Sequence, residues 1–186
     1  MRKMDKFLEF MTGHFDNSRQ LEEYEKINLE GFPRAEHVNT VCNDKITGLP
    51  ADFNGVFVLE ESYYTTNGRT NAMPHLFLFT EVPEGIKLTS YEMPKEYSKD
   101  DFTYDNLKEI PYDSLLISEK FTPLIYREEN GEYRGESVSM FSPVTKFTLS
   151  EIIREDQLIV SETFEVNGKR TFGYDYPLVY LRVHEA

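Results

Sequence analysis

Few side chains in this sequence are placed to do chemistry. In MTGHFDNSRQ, residues 11–20, His14 and Asp16 stand two apart beside Gly13, Asn17 and Ser18. An imidazole and a carboxylate that close could share a proton as an acid–base pair. The same residues read more simply as the end of one helix and the cap of the next. Glu162 is the sharper signal. In QLIVSETFEV, residues 157–166, strand alternation puts Leu158, Val160, Glu162, Phe164 and Val166 on one face. If that face lines an interior, the carboxyl group must raise its pKa, pair with a cation, or accept hydrogen bonds from a ligand. An arginine across the sheet, such as Arg182, is the alternative that binds nothing.

The other candidates are weaker. Glu60 and Glu61 are adjacent carboxylates, but neighbours on a strand point to opposite faces and cannot flank one scissile bond. In GVFVLEESYY, residues 55–64, Phe57, Leu59, Glu61 and Tyr63 share one face and Val56, Val58, Glu60, Ser62 and Tyr64 the other. Both rows are mixed, and alternation alone does not choose between them. Near the C-terminus, Val179, Leu181 and Val183 form an apolar row, while Tyr180, Arg182 and His184 form a polar row expected to face solvent. His14, His37, His75 and His184 are scattered, and with one cysteine they predict no metal site. Cys42, in HVNTVC, reads as a small buried hydrophobe rather than a nucleophile. No glycine-rich phosphate loop, GxSxG elbow or HExxH is present.

The elements that must position these residues fall into two sets. From Lys3 to Met11, Met4, Phe7, Leu8 and Met11 recur at helical spacing, and Gly13 follows as a residue tolerant of a left-handed terminus. Asp16 or Asn17 can cap a second helical segment containing Leu21 and Tyr24. After Pro33 the period becomes two. Nine runs rich in Val, Ile, Phe, Tyr and Thr extend from residue 36 to 183, separated by short turn signals. Asn130–Gly131 and Asn167–Gly168 are hairpin signals. Residues 99–116 interrupt the run with helix-like spacing at Phe102, Leu107 and Leu115. Eight or nine short-linked strands predict a mainly β chain, an antiparallel sheet closed into a barrel able to hold one small molecule. One domain is expected over residues 1–186, helical at about 3–27 and barrel at about 36–184.

Composition narrows the partners. The net charge is −13, which argues against nucleic acid, since phosphate binding needs clustered Lys and Arg. No apolar run of about eighteen residues occurs, and the N-terminus is too charged for a secretory leader. A cytoplasmic protein that avoids membranes is the expectation. With 14 Phe, 12 Tyr and no Trp, the core or a cavity in it should be lined with flat rings.

Five segments, in order, resemble the T-type phycobiliprotein lyases, the family called CpcT/CpeT. FMTGHFDNSRQ is similar to that family's opening helix and its G-x-F-[DS]-N-x-x-Q segment. HVNTVC places His37 on a family histidine. GVFVLEESYY is similar to a strand ending in E-Q-A-Y, with Glu60 and Tyr63 on its acidic and tyrosine positions. PLIYREENGEYRGES is similar to the family's strand, turn and F-x-G segment. LIVSETFEVNGKRTFGYDYPLVYLRV is similar to the final hairpin, with Glu162 on an acidic position. Where the family carries P-Y-R-Q-R, this chain reads NAMPHLFLF. Where it carries a cysteine pair, this chain reads SEKFTPL and SVSMFSPV. It therefore resembles a divergent member.

The resemblance implies a lipocalin-like (calycin) barrel with short N-terminal helices, holding a phycobilin, either phycoerythrobilin or phycocyanobilin, as ligand rather than prosthetic group. It implies lyase chemistry: transfer of that bilin as a thioether to a cysteine of a phycobiliprotein β-subunit. Glu162 would be the catalytic group, accepting from the pyrrole nitrogens and stabilising a protonated bilin. Tyr63, Glu60, Arg69, His37 and His75 would be the binding residues, with Arg69 meeting a propionate. The attacking thiol belongs to the partner, and a homodimer is left open. The alternative is a non-catalytic calycin module for another lipophilic small molecule.

Overall fold

Helix α1, Lys3–Met11, opens the chain and buries one stripe formed by Met4, Phe7, Phe10 and Met11. Its first turn is held by Arg2, whose guanidinium pairs with Asp5 at 3.0 Å. In the computed structural model, which describes residues 2–184, that stripe is pushed into one end of a β-barrel. Phe7 is fully buried there against the rings of Phe79, Tyr126 and Tyr133. The helix is thus a plug, and the apolar stripe that makes it amphipathic is what it plugs with.

Ten strands build the barrel: β1 (Gly13–Asp16), β2 (Arg34–Val41), β3 (Val56–Thr66), β4 (His75–Val82) and β5 (Gly85–Tyr91), then β6 (Leu124–Glu129), β7 (Glu132–Ser142), β8 (Thr145–Arg154), β9 (Gln157–Val166) and β10 (Leu178–Arg182). Each pairs antiparallel with the next along the chain, and β10 returns to β1 through Phe15↔Arg182 and Asp16↔Leu181. The result is an up-and-down meander closed on itself. Closure removes the free edges that an open sheet of this size would present. This is the mainly β, lipocalin-like barrel the sequence predicts.

Two short strands, Arg69–Ala72 and Lys169–Phe172, fold back on the far ends of β3 and β9, at the end opposite α1. Their turns, Asn67–Gly68 and Asn167–Gly168, carry positive φ at both residues, as does Asn130–Gly131 between β6 and β7. That is the backbone a two-residue hairpin needs, and Asn–Gly supplies it at least cost.

Four expectations are corrected. The break after α1 is not a bare helix–cap–helix junction, because residues 13–16 form β1, which closes the barrel. Helix α2 (Ser18–Lys26) follows it and packs on the outside against β10 and β2. The final predicted run is two strands, separated by residues 173–177. Residues 99–116 form no α-helix; Phe102 and Leu107 are buried because this segment lies over the outward Phe57, Leu59, Leu76 and Leu78 of β3 and β4. Covering by that segment also explains why both rows of β3 carry apolar residues. In β10, Leu178 and Tyr180 face the interior, so the row expected to be solvated is the buried one.

Candidate functional site

Inside the barrel, away from α1, β2 contributes His37, β3 Glu60, β4 His75, β8 Glu151 and β9 Glu162 to the lining of one void. Glu60 and His75 are directly opposed across β3 and β4, and Glu162 is opposed by Leu149 of β8. The void is small, with room for about three waters.

The polar groups differ in charge. His37 Nδ1 lies 3.3 Å from Glu60 Oε2, with both side chains buried. Burial alone would neutralise each of them. Their mutual attraction outweighs it and holds the Glu60 carboxyl below, and the His37 imidazole above, its ordinary range. Ser62 adds a 3.0 Å hydrogen bond to Glu60. His75, stacked on Phe77 at 5.4 Å, is pulled down by burial and stays neutral. Glu151 and Glu162 are pushed up to about 7, first by burial and then by the Glu60 charge; for Glu151 the hydroxyl of Tyr126, which donates to it, works the other way. Below about pH 7 the void therefore holds one ion pair and two carboxyl groups that retain protons.

Glu162 also borders a second, tighter space, with room for about one water, walled by Tyr64, Phe172, Tyr174 and Tyr176. Beyond it runs an outer groove of about 1050 Å³ that shares Tyr64, Phe172 and Tyr174 and includes Met73 and Lys99. The rings form a continuous arc at this end. Phe121 touches Phe147 at 5.7 Å, Phe147 touches Phe164 at 4.7 Å, and Phe164 touches Phe172 at 6.1 Å. Phe172 meets Tyr174 at 6.0 Å, and Tyr174 stacks on Phe32 at 4.9 Å. Glu162 sits where the acid-lined void meets this aromatic mouth.

Compared with protein-family models, curated proteins and solved structures, the chain matches none.

Of the residues predicted from sequence, Glu162, Glu60, His37 and His75 are brought together on the void. Tyr63 is not; it lies on the outer face of β3, its hydroxyl donating to Glu61 at 2.8 Å, and its neighbour Tyr64 faces the mouth. Arg69 lies exposed on the return strand after β3, paired with Thr66. Arg182 does not reach Glu162; its guanidinium donates to main-chain oxygens of Thr12, Glu9, Phe10 and Glu155. Cys42 is buried under residues 99–116, with its thiol pushed up to about 12 by burial, far from the void's lining. Glu151 was the residue missed. Its strand shows the same signal as Glu162, one acid in an inward apolar row of Phe147, Leu149 and Ile153.

Proposed function

We propose that this barrel binds a flat, conjugated molecule bearing N–H groups, a linear tetrapyrrole of the phycobilin class, and delivers it to a cysteine of a phycobiliprotein β-subunit. The observation carrying the reading is the position of Glu162, a carboxyl group between a polar void and an aromatic mouth. Among the described residues it has no Lys or Arg partner. Pyrrole N–H donors would meet the carboxyl, and rings such as Phe172 and Tyr174 would stack on the conjugated body. Lys99, in the outer groove, is the cation nearest at hand for a propionate. The void is smaller than a tetrapyrrole, so the body must occupy the mouth and groove, with Phe172 and Tyr174 displaced on binding. The acceptor thiol would come from the partner, since Cys42 is sealed away.

The test is spectroscopic. Purified protein mixed with phycocyanobilin or phycoerythrobilin should give a red-shifted, sharpened absorbance band, lost in Glu162→Gln. A free-bilin spectrum in the presence of the wild-type protein would refute binding. Adding an apo-phycobiliprotein should yield chromophore that survives denaturation if transfer occurs. The small volume of the void favours a second reading, a calycin module that holds a smaller lipophilic ligand and transfers nothing. Binding without a denaturation-resistant adduct would select it.

A further inference from the structure

The charge inventory of the inner void leads beyond the tetrapyrrole reading and does not depend on it. Three carboxyl groups, Glu60, Glu151 and Glu162, reach the void, and no Lys or Arg is among the residues lining it. Its two imidazoles offer little compensation: His37 is committed to Glu60, and His75 is neutral. Glu151 and Glu162 stand side by side on the adjacent strands β8 and β9, two positions out of register, with no Lys or Arg lining the void beside them. Beside them, Phe121 and Phe147 present aromatic rings to the same void, and Phe77 adds a third. Carboxylates and ring faces together form the surroundings in which organic cations are held.

A second feature points the same way. His37 is 3% exposed, and its Nε2 has no hydrogen-bond partner among the described residues; neither has the hydroxyl of Tyr180, which is fully buried. The two rings lie 4.3 Å apart. These are buried polar atoms left unsatisfied at the edge of the void, and they mark it as a place a ligand completes rather than a filled core.

We propose that the void binds a small flat organic cation, an amidinium-, guanidinium- or imidazolium-like group, between Glu151 and Glu162 and against the Phe121 and Phe147 rings, in exchange for protons those carboxyl groups carry. The size agrees: a space for about three waters takes such a head group and little more. The aromatic space on the other side of Glu162 holds about one water at most, so the void selects a head group that carries little body. The groups facing the two carboxyls from the surrounding elements are His37 of β2, Glu60 and Tyr64 of β3, His75 of β4, Tyr126 of β6 and Tyr180 of β10. Of these only His37 carries positive charge, and Glu60 offsets it. The exchange balances: a proton leaves a carboxyl for solvent, and the cation takes its place as counter-ion.

The experiment is calorimetric titration with acetamidinium, cationic throughout the range used, against neutral acetamide of nearly the same shape. With one proton released, acetamidinium should bind about thirtyfold tighter at about pH 8.5 than at about pH 5.5, because the carboxyls titrate near 7. Below neutrality the measured heat should vary with the ionisation enthalpy of the buffer, the signature of a released proton. Acetamide should bind far more weakly at both values. Glu151→Gln/Glu162→Gln should abolish the pH dependence, with a cooperative thermal transition confirming that the variant folds; if it does not fold, Glu162→Gln alone should reduce the dependence. Equal binding of acetamide, an acetamidinium affinity that is flat or falls with pH, or no binding of either would overturn the proposal. A tetrapyrrole band without acetamidinium binding refutes the cation site alone, and the reverse result refutes the tetrapyrrole alone.

Discussion

His37 Nδ1 stands 3.3 Å from Glu60 Oε2 in the middle of the barrel, and this pair bears on the carboxyl groups across from it. A buried carboxylate needs a counter-charge, and Glu60 takes the one imidazole able to supply it. Glu151 and Glu162, on the opposite wall, keep their protons to about pH 7, first because they are buried and then because of the Glu60 charge, which the His37 charge only partly offsets. Burial and one ion pair together keep two carboxyl groups in their acid form.

Stability should fall between pH 5 and pH 8. Glu151 and Glu162 hold protons more tightly folded than unfolded, where the ordinary value is 4.5. Their contribution is complete below that value and is lost as pH rises through about 7. His37, raised above 6.5, acts in the same direction, while His75, pulled below 6.5 by burial, offsets part of the loss in the acid half of the range. Glu60, held low, opposes only in acid, where its contribution disappears as pH falls below 4.5. The combined loss from pH 5 to 8 should be on the order of 3 kcal/mol, after discounting for the partial solvent access of both side chains. Thermal unfolding across the range checks this, and Glu151→Gln/Glu162→Gln should flatten the curve. A wild-type midpoint that is constant or rises from pH 5 to 8 would contradict it.

Asn17 and Asp16 should behave differently although either could be a helix cap. Asn17 is fully buried, donates to Pro33 O at 3.0 Å and accepts from Ala35 N at 2.8 Å, so it ties the start of α2 to β2. Asn17→Ala leaves a buried carbonyl and a buried N–H unpaired and should cost about 2–3 kcal/mol. Asp16 accepts only from Ser18 N in a local turn, and Asp16→Ala should cost about 0.5–1 kcal/mol. Urea denaturation of the two variants separates them; equal losses would show that Asn17 acts as an ordinary cap.

How far the sequence disclosed this arrangement depends on what each residue packs against. The β9 row was legible because Glu162 interrupts an otherwise apolar face, and that face is inward. The β3 rows were not, because residues 99–116 bury the outward face as well and erase the contrast. In β10, Tyr180 looked polar, yet its ring fills the interior beside His37. Strand β1 was hidden by its four-residue length and by residues that also suit a helix boundary. The grouping of Glu162 with Glu60, His37 and His75 rests on the closure of the barrel, a long-range pairing that local patterns do not encode.

Tyr126 should tune Glu151. Its hydroxyl donates to the Glu151 carboxyl, and this is the main influence drawing that carboxyl back toward ionisation. Removing it in Tyr126→Phe should raise the Glu151 midpoint above its wild-type value of about 7 while leaving Glu162 nearly unchanged. Carbon-13 NMR titration of the glutamate carboxyl signals reads both midpoints. A Glu151 midpoint that falls or stays fixed would show that the contact does not favour the ionised form.

Arg182 should hold the plug in place. Helix α1 has no basic residue in its last turn; Thr12 and Asn39 donate to the carbonyls of Leu8 and Met11, but those of Glu9 and Phe10 would otherwise lack donors. Arg182 supplies them from β10, donating to Thr12 O at 2.7 Å, Glu9 O at 2.9 Å and Phe10 O at 3.0 Å, with its guanidinium over the Phe15 ring at 4.6 Å. Arg182→Met keeps the stem and removes the donors, and it should cost about 2–3 kcal/mol. The loss should be local: amide hydrogen exchange in residues 7–12 should accelerate more than in β4 to β6. Gly13 belongs to the same unit, because its φ of +124° is left-handed and a Cβ there would strike the Arg182 guanidinium. Gly13→Ala should therefore loosen the same segment, and the double variant should cost less than the two single losses combined. Additive losses, or exchange that rises evenly around the barrel, would mean that the guanidinium does not anchor the helix.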